Sequence, residues 1–272
     1  MAAPRKKLDL RKTLFLLPNM ITLSSIFCGF DSIRLSASAT STEDYYLAAL
    51  LIIYALFFDI LDGRVARLTK TQSAFGLQID SLADVVSFGV APALLAYKWS
   101  LVQLGTPGIV VAFAFTGAGA VRLARFNVLS MGESGQPTKP GKYIVGLPVP
   151  GAAGVLLSLV IANHAIGGDL GSAKYVYVIT GLTLFLAFLM VSTVKFRSFK
   201  DLKLNGRSIA LVLFALGSSA AIALKTKPAF VLVWLLGMYV VIALIETALA
   251  VPKGLKQRRQ QAASERSSLP PT

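Results

Sequence analysis

The chain has 272 residues, of which 55% are hydrophobic and only 15% charged, with a mean hydropathy of +0.68. Its apolar residues come in blocks of about 17–25, the length needed to cross about 30 Å of hydrocarbon, and they leave no soluble stretch long enough for a separate globular domain. The net charge of +14 is spread between those blocks without aromatic interleaving, which excludes a nucleic-acid surface, and the single cysteine, Cys28, excludes an intramolecular disulfide or a cysteine-held metal cluster.

Taken in order, residues 1–13 form a basic arm suited to an anionic membrane surface. A basic stretch, an apolar run over 14–30 and Ala37-Ser38-Ala39 together resemble a secretory signal with a cleavage site. The run is long for that purpose and further spans follow, so a retained first helix is expected, entered at Pro18-Asn19 and ending near residue 35. Asn19 and Thr22 lie one turn apart near its inner end. Further spans are expected over about 44–68, 78–99, 108–127, 147–163, 173–194, 208–224 and 230–251. The resulting fold class is all-α, a polytopic transmembrane bundle of about eight spans. Residues 14–251 make up its membrane domain, and the basic, Gln/Ser/Pro-rich tail over 252–272 is expected to be disordered.

Orientation follows from Lys and Arg. With the N-terminus inside, only Arg34, Lys98, Lys174, Lys225 and Lys227 of the 27 fall in outer segments, so the chain is expected in the cell (inner) membrane with both termini and the aspartate stretch on the cytoplasmic side. An even number of spans is consistent with that placement.

The chemistry is expected between residues 59 and 84. Asp59, Asp62, Asp80 and Asp84 stand there at the ends of two apolar runs, where a carboxylate is costly unless something cationic shares it. Spacings of three and four put Asp59 with Asp62, and Asp80 with Asp84, on common helix faces. A short connection makes the two helices antiparallel neighbours, so the four carboxylates can converge. Hard cations such as Mg²⁺ or Mn²⁺ prefer such oxygens, and two of them would relieve the repulsion and support displacement at phosphorus. Gly63 follows a ligand directly and lets a substrate approach the helix backbone. Arg67 can grip a phosphate, and Ser73 can add a hydroxyl contact. The competing reading pairs the aspartates with Arg64, Arg67, Arg122 and Arg125 as a structural charge network. A transporter would instead show polar or broken segments at mid-bilayer in paired halves, a pattern this sequence lacks.

The run Asp62-Gly63-x2-Ala66-Arg67-x8-Gly76-x3-Asp80-x3-Asp84 resembles, at every position, the signature of the CDP-alcohol phosphatidyltransferase family, with Asp59 as its upstream aspartate. The resemblance implies a helical membrane enzyme that moves a phosphatidyl group from a CDP-linked lipid to an alcohol and releases CMP. It implies Asp59, Asp62 and Asp80 as metal ligands, and Asp84 as both a metal contact and the general base. It also implies Gly63, Arg67 and Ser73 around the CDP portion of CDP-diacylglycerol, and a homodimer. Asn19 and Thr22 resemble the family's Pro-Asn-x-x-Thr element beside the nucleotide.

The signature does not choose the alcohol. Arg122-Leu-Ala-Arg125-Phe126-Asn127 and Gly146-Leu147-Pro148-Val149-Pro150 are similar to elements of the family's bacterial integral-membrane phosphatidylserine synthases, which implies L-serine as acceptor. Arg122 or Arg125 would then bind the serine carboxylate and Asn127 would orient its amine or carboxylate. The same arginines can equally act as topological anchors. Glycerol 3-phosphate or an inositol phosphate is the alternative acceptor within the family.

Overall fold

The computed structural model describes residues 10–130, 143–197 and 206–267. The basic arm is therefore described only from residue 10, and most of the polar loop before residue 143, with Lys139 and Lys142, lies outside the described residues.

Helix α1 (Leu10–Ser38) and helix α2 (Thr42–Leu68) form the first hairpin. Pro18 lies inside α1, so the helix does not start at the Pro-Asn pair. Upstream of it stand strong helix formers such as Leu10, Arg11 and Leu14, and the proline removes only one backbone donor. Ser41 and Asp44 close the start of α2 with a capping box. The Ser41 hydroxyl accepts from the Asp44 N–H at 3.2 Å, and the Asp44 carboxylate accepts from the Ser41 N–H at 2.9 Å.

Small residues let these two helices approach closely. Ala48, Ala49, Ile52 and Ala55 are fully buried on α2, and α1 reaches across with the Ser32 hydroxyl donating to the Ala48 carbonyl at 2.8 Å. Phe27 and Phe57 point outward, where a bilayer rather than water accommodates them.

The third span, Ala74–Trp99, has three parts: α3 (Ala74–Asp84), a π-helical turn (Val85–Val90) and α4 (Ala91–Trp99). Ser73 caps α3, its hydroxyl accepting from the Gly76 N–H at 2.9 Å. Helix α2 packs on the π turn and on α4. A 3₁₀ turn (Leu101–Leu104) leads into α5 (Thr106–Ser130), followed by α6 (Val149–Ile166), α7 (Val176–Val191), α8 (Gly206–Lys225) and α9 (Ala229–Ser267).

Among the described residues, seven helices are long and apolar enough to cross a membrane, which makes this a multi-pass membrane protein. The expected eighth span corresponds to α8, whose described apolar part, Leu213–Lys225, is shorter. Helix α9 does not stop at the bilayer end. Its backbone continues through the stretch expected to be disordered as far as Ser267, because Lys, Gln, Arg and Ala extend a helix that the membrane span has already nucleated.

One short ladder departs from the all-helical pattern. Strand β1 (Tyr143–Val145) pairs antiparallel with β2 (Lys195–Arg197), Tyr143 opposite Arg197 and Val145 opposite Lys195. Gly146 then turns with φ +79° and donates to the Val194 carbonyl at 2.8 Å, while Leu147 donates to the Leu189 carbonyl at 3.0 Å. A Cβ at position 146 would stand 2.3 Å from the Met190 carbonyl oxygen. The Gly-Leu-Pro element thus docks the start of α6 onto the end of α7.

Candidate active site

Asp59 and Asp62 sit in the last turns of α2, and Asp80 sits on α3. One carboxylate oxygen from each of the three lies within 4.8 Å of the others. Two unit charges at that separation repel by about 3 kcal/mol at an effective dielectric of about 20, so the cluster needs a cation. Among the described residues no arginine supplies it. The ion pairs there are Arg34 with Asp31 at 2.6 Å and His164 with Glu43 at 3.4 Å, both away from the site. None of the arginines of the competing charge network closes an ion pair with the triad. Three buried or half-buried carboxylates without a cationic neighbour, all hard oxygen donors, fit a divalent metal.

Helix α1 holds the triad from one side. Asp62 is 5% exposed and accepts a hydrogen bond from Thr22 Oγ1 at 2.5 Å, shorter than the alternative contact of that hydroxyl with the Pro18 carbonyl at 3.0 Å. Asn19, one turn earlier, stands near the start of α3. A Cβ on Gly76 would lie 3.2 Å from Ser73 Oγ and 3.9 Å from Asn19 Oδ1. A Cβ on Gly63 would meet nothing within 4 Å, so the α2 backbone beside Asp62 is open to a ligand. Arg67 is exposed in the last turn of α2 and forms no ion pair with the triad.

Asp84 stands apart from the triad, one turn deeper on α3. It comes within hydrogen-bond reach of Asp59 and within electrostatic reach of Asp80 and Arg122. Its Oδ1 is buried without a hydrogen-bond partner. Arg122, from α5, is 8% exposed, and its Nε is likewise buried without a partner. The two opposite groups are neighbours, yet they do not close into an ion pair.

The other two residues expected around an acceptor behave differently. Arg125 is exposed and donates through a terminal guanidinium nitrogen to the Val191 carbonyl at 3.4 Å. Asn127 donates through Nδ2 to Ser81 Oγ at 2.9 Å, which ties α5 to α3 between Asp80 and Asp84.

A buried polar clamp fixes the helices that carry these groups. Ser87, in the π turn three residues after Asp84, donates to the Ser25 carbonyl at 3.0 Å. Ser25 Oγ donates to the Ala55 carbonyl at 3.0 Å, one turn before Asp59. Gly29 makes room for this contact, since a Cβ there would lie 2.7 Å from Ser87 Oγ. Sequence reasoning missed Ser25 and Ser87. The available signal was polar residues inside apolar runs at the depth of the aspartates.

A family model described as CDP-alcohol phosphatidyltransferase matches residues 15–190. The chain is 37% identical over 232 residues to the CDP-diacylglycerol–serine O-phosphatidyltransferase of Helicobacter pylori strain J99, covering 85% of this chain and 91% of that one. It is 34% identical over 184 residues to the Bacillus subtilis strain 168 protein of the same name, covering 68% and 91%. A Saccharomyces cerevisiae protein of that name is 39% identical over 143 residues, 51% of each chain.

Proposed function

The chain belongs to the CDP-alcohol phosphatidyltransferase family, and we propose that it transfers the phosphatidyl group of CDP-diacylglycerol to the hydroxyl of L-serine, giving phosphatidylserine and CMP. The observation that carries this reading is the carboxylate triad of Asp59, Asp62 and Asp80 with Asp84 and the unpaired Arg122 behind it. The relatives that cover most of this chain are named for serine, which favours serine over glycerol 3-phosphate or an inositol phosphate.

Asp59, Asp62 and Asp80 would hold Mg²⁺ or Mn²⁺, two ions with Asp84 as a further contact. When bound, the metal neutralises the pyrophosphate and polarises the phosphorus under attack. The chain's own residues do the rest. Asn19, Thr22, Gly63, Arg67 and Ser73 surround the CDP portion: the open backbone at Gly63 admits it, and the exposed Arg67 guanidinium meets phosphate. Thr22 acts on it through Asp62, and Ser73 acts through the start of α3. The acyl chains stay in the bilayer, and the donor enters sideways.

Asp84 takes the proton from the serine hydroxyl as that oxygen forms its bond to phosphorus and the phosphorus–oxygen bond to CMP breaks. Arg122 receives the serine carboxylate. Its buried guanidinium has a free donor beside the base, whereas Arg125 is exposed and turned to the end of α7. Asn127, held against Ser81, would orient the serine amine or carboxylate. The site faces the cytoplasm of the inner membrane, where nucleotide and serine are available, and the protein works as a homodimer.

The test is CMP release by purified protein given CDP-diacylglycerol, Mg²⁺ or Mn²⁺, and serine, glycerol 3-phosphate or inositol phosphate in turn. Release with serine alone is expected, and chelation with EDTA should abolish it. Release only with another acceptor overturns the serine assignment. Asp84→Asn should remove turnover by at least about a hundredfold while leaving the folded protein intact, and full activity in that variant rejects the base.

A further inference from the structure

We infer that Ser87 is a positioning residue for the base: through the π turn and Ser25 it sets where Asp84 stands against the helix that carries Asp59. The inference rests on the phosphatidyl-transfer reading above and concerns the placing of its proposed base.

Asp84 Oδ1 is buried without a hydrogen-bond partner, so no contact at that oxygen steers the carboxylate. Its place depends on the backbone that carries it, and that backbone changes form at once. Asp84 ends α3, and the π turn Val85–Val90 follows without a break. The Ala91 N–H donates to the Val86 carbonyl, five residues back. Pro92 gives a reason for the wider turn. It has no N–H for the Phe88 carbonyl, and in a regular helix its ring would crowd that oxygen. Single π turns inside α-helices are rare and recur at functional sites. They are also places where a helix bends, so contacts from outside must fix the angle between α3 and α4.

Two neighbours supply those contacts. On one side Ser87, fully buried, donates to the Ser25 carbonyl of α1 at 3.0 Å. Ser25, 1% exposed, donates in turn through Oγ to the Ala55 carbonyl of α2 at 3.0 Å. Ala55 stands one helical turn before Asp59. On the other side Thr116 of α5, the helix of Arg122, donates to the Gly89 carbonyl at 3.2 Å. The relay from Ser87 through Ser25 to Ala55 therefore joins the segment after Asp84 to the segment before Asp59. Hydrogen bonds are directional where apolar packing is not, so the relay fixes position as well as contact.

The competing role is stability alone, and Ser32 supplies the comparison. Its fully buried hydroxyl donates to the Ala48 carbonyl of α2 at 2.8 Å, two turns along α1 from Ser25 and away from the aspartates. Ser87→Ala and Ser32→Ala each remove one buried hydroxyl bond, so both should lower the melting temperature in detergent by about the same few degrees. Only Ser87→Ala should lower kcat for CMP release, by about tenfold or more, with the KM of both substrates within a few-fold of wild type. Misplacing a reacting group by about 1 Å costs up to about a hundredfold in rate. Ser25→Ala, which breaks the relay at its other bond, should do the same. In an Asp84→Asn background Ser87→Ala should cost nothing further, because the group it positions is gone. Wild-type kcat in Ser87→Ala overturns the proposal, and so does a loss that Ser32→Ala reproduces or that adds in full to the loss of Asp84→Asn. The comparison is run with the acceptor that the wild-type protein uses, so it stands whichever alcohol that is. Full activity in Asp84→Asn rejects the base itself and the role of Ser87 with it. Loss in Asp84→Asn beside wild-type kcat in Ser87→Ala rejects the positioning alone.

Discussion

Thr22 shows what one side chain contributes to this site. Its hydroxyl donates to Asp62, so it holds a carboxylate of the proposed metal site in place from a different helix. Thr22→Val keeps the volume and removes the donor. A hydrogen bond to a charged acceptor is worth about 1.5–3 kcal/mol, so the metal concentration for half-maximal CMP release should rise by roughly tenfold or more in a Mg²⁺ titration. The two arginines of α5 make a sharper comparison. Arg122→Ala removes a buried cation beside Asp84 and should raise the serine KM about a hundredfold, whereas Arg125→Ala removes an exposed one and should stay within a few-fold of wild type in the same assay. The four aspartates were legible in the sequence because charge in an apolar run has few structural excuses, and helical spacing fixes their faces. The partners Ser25 and Ser87 were not. A hydroxyl costs little enough in a helix to be read as incidental, and only the packing of α1 on α2 and on the π turn shows what each one meets.

At the scale of elements, glycines separate scaffold from site. Gly29 lets α1 lie against the π turn that follows Asp84, and an added Cβ would sit 2.8 Å from the Ser87 Cα as well as 2.7 Å from its hydroxyl. Backbone has to move, so Gly29→Ala should cost roughly 1–3 kcal/mol of stability and displace Asp84, lowering both melting temperature in detergent and kcat. Gly63→Ala meets no protein atom within 4 Å. It should leave the melting temperature unchanged and raise the KM for CDP-diacylglycerol, because the added methyl stands in the open space proposed for the donor. Gly146 belongs with Gly29: its positive φ and its contact with the Met190 carbonyl make the Gly-Leu-Pro element a joint between helices. In this chain that element is seen to pack the start of α6 on the end of α7. The apolar runs marked the helices well, but not the π turn or the β ladder. A π turn looks like any apolar helix in composition, and a three-residue pairing between segments some fifty positions apart leaves no periodicity to read.

For the whole molecule, the number of crossings sets on which side each end lies. The seven spans of sufficient length and apolarity would put the two ends on opposite sides. The charge distribution argues for the same side, since Lys253, Lys256, Arg258, Arg259 and Arg266 crowd the tail as Arg5 to Lys12 crowd the start. Helix α8 decides between them. Its 20 residues span about 30 Å at 1.5 Å per residue, enough for the hydrocarbon core. Crossing by α8 returns α9 to the orientation that leaves its basic end in the cytoplasm, with the triad on that same side because Asp62 and Asp80 flank the short connection after α2. The sole cysteine, Cys28, is buried, so Cys28→Ala gives a background for single-cysteine labelling with a membrane-impermeant maleimide. Gln72→Cys, in the connection beside the triad, and Ser264→Cys, in the basic end of α9, should label only from the cytoplasmic side, and Thr106→Cys, at the start of α5, only from the outside. Labelling of Ser264→Cys from the outside would mean that α8 does not cross. Labelling of Gln72→Cys from the outside would invert the protein and put the triad away from its nucleotide.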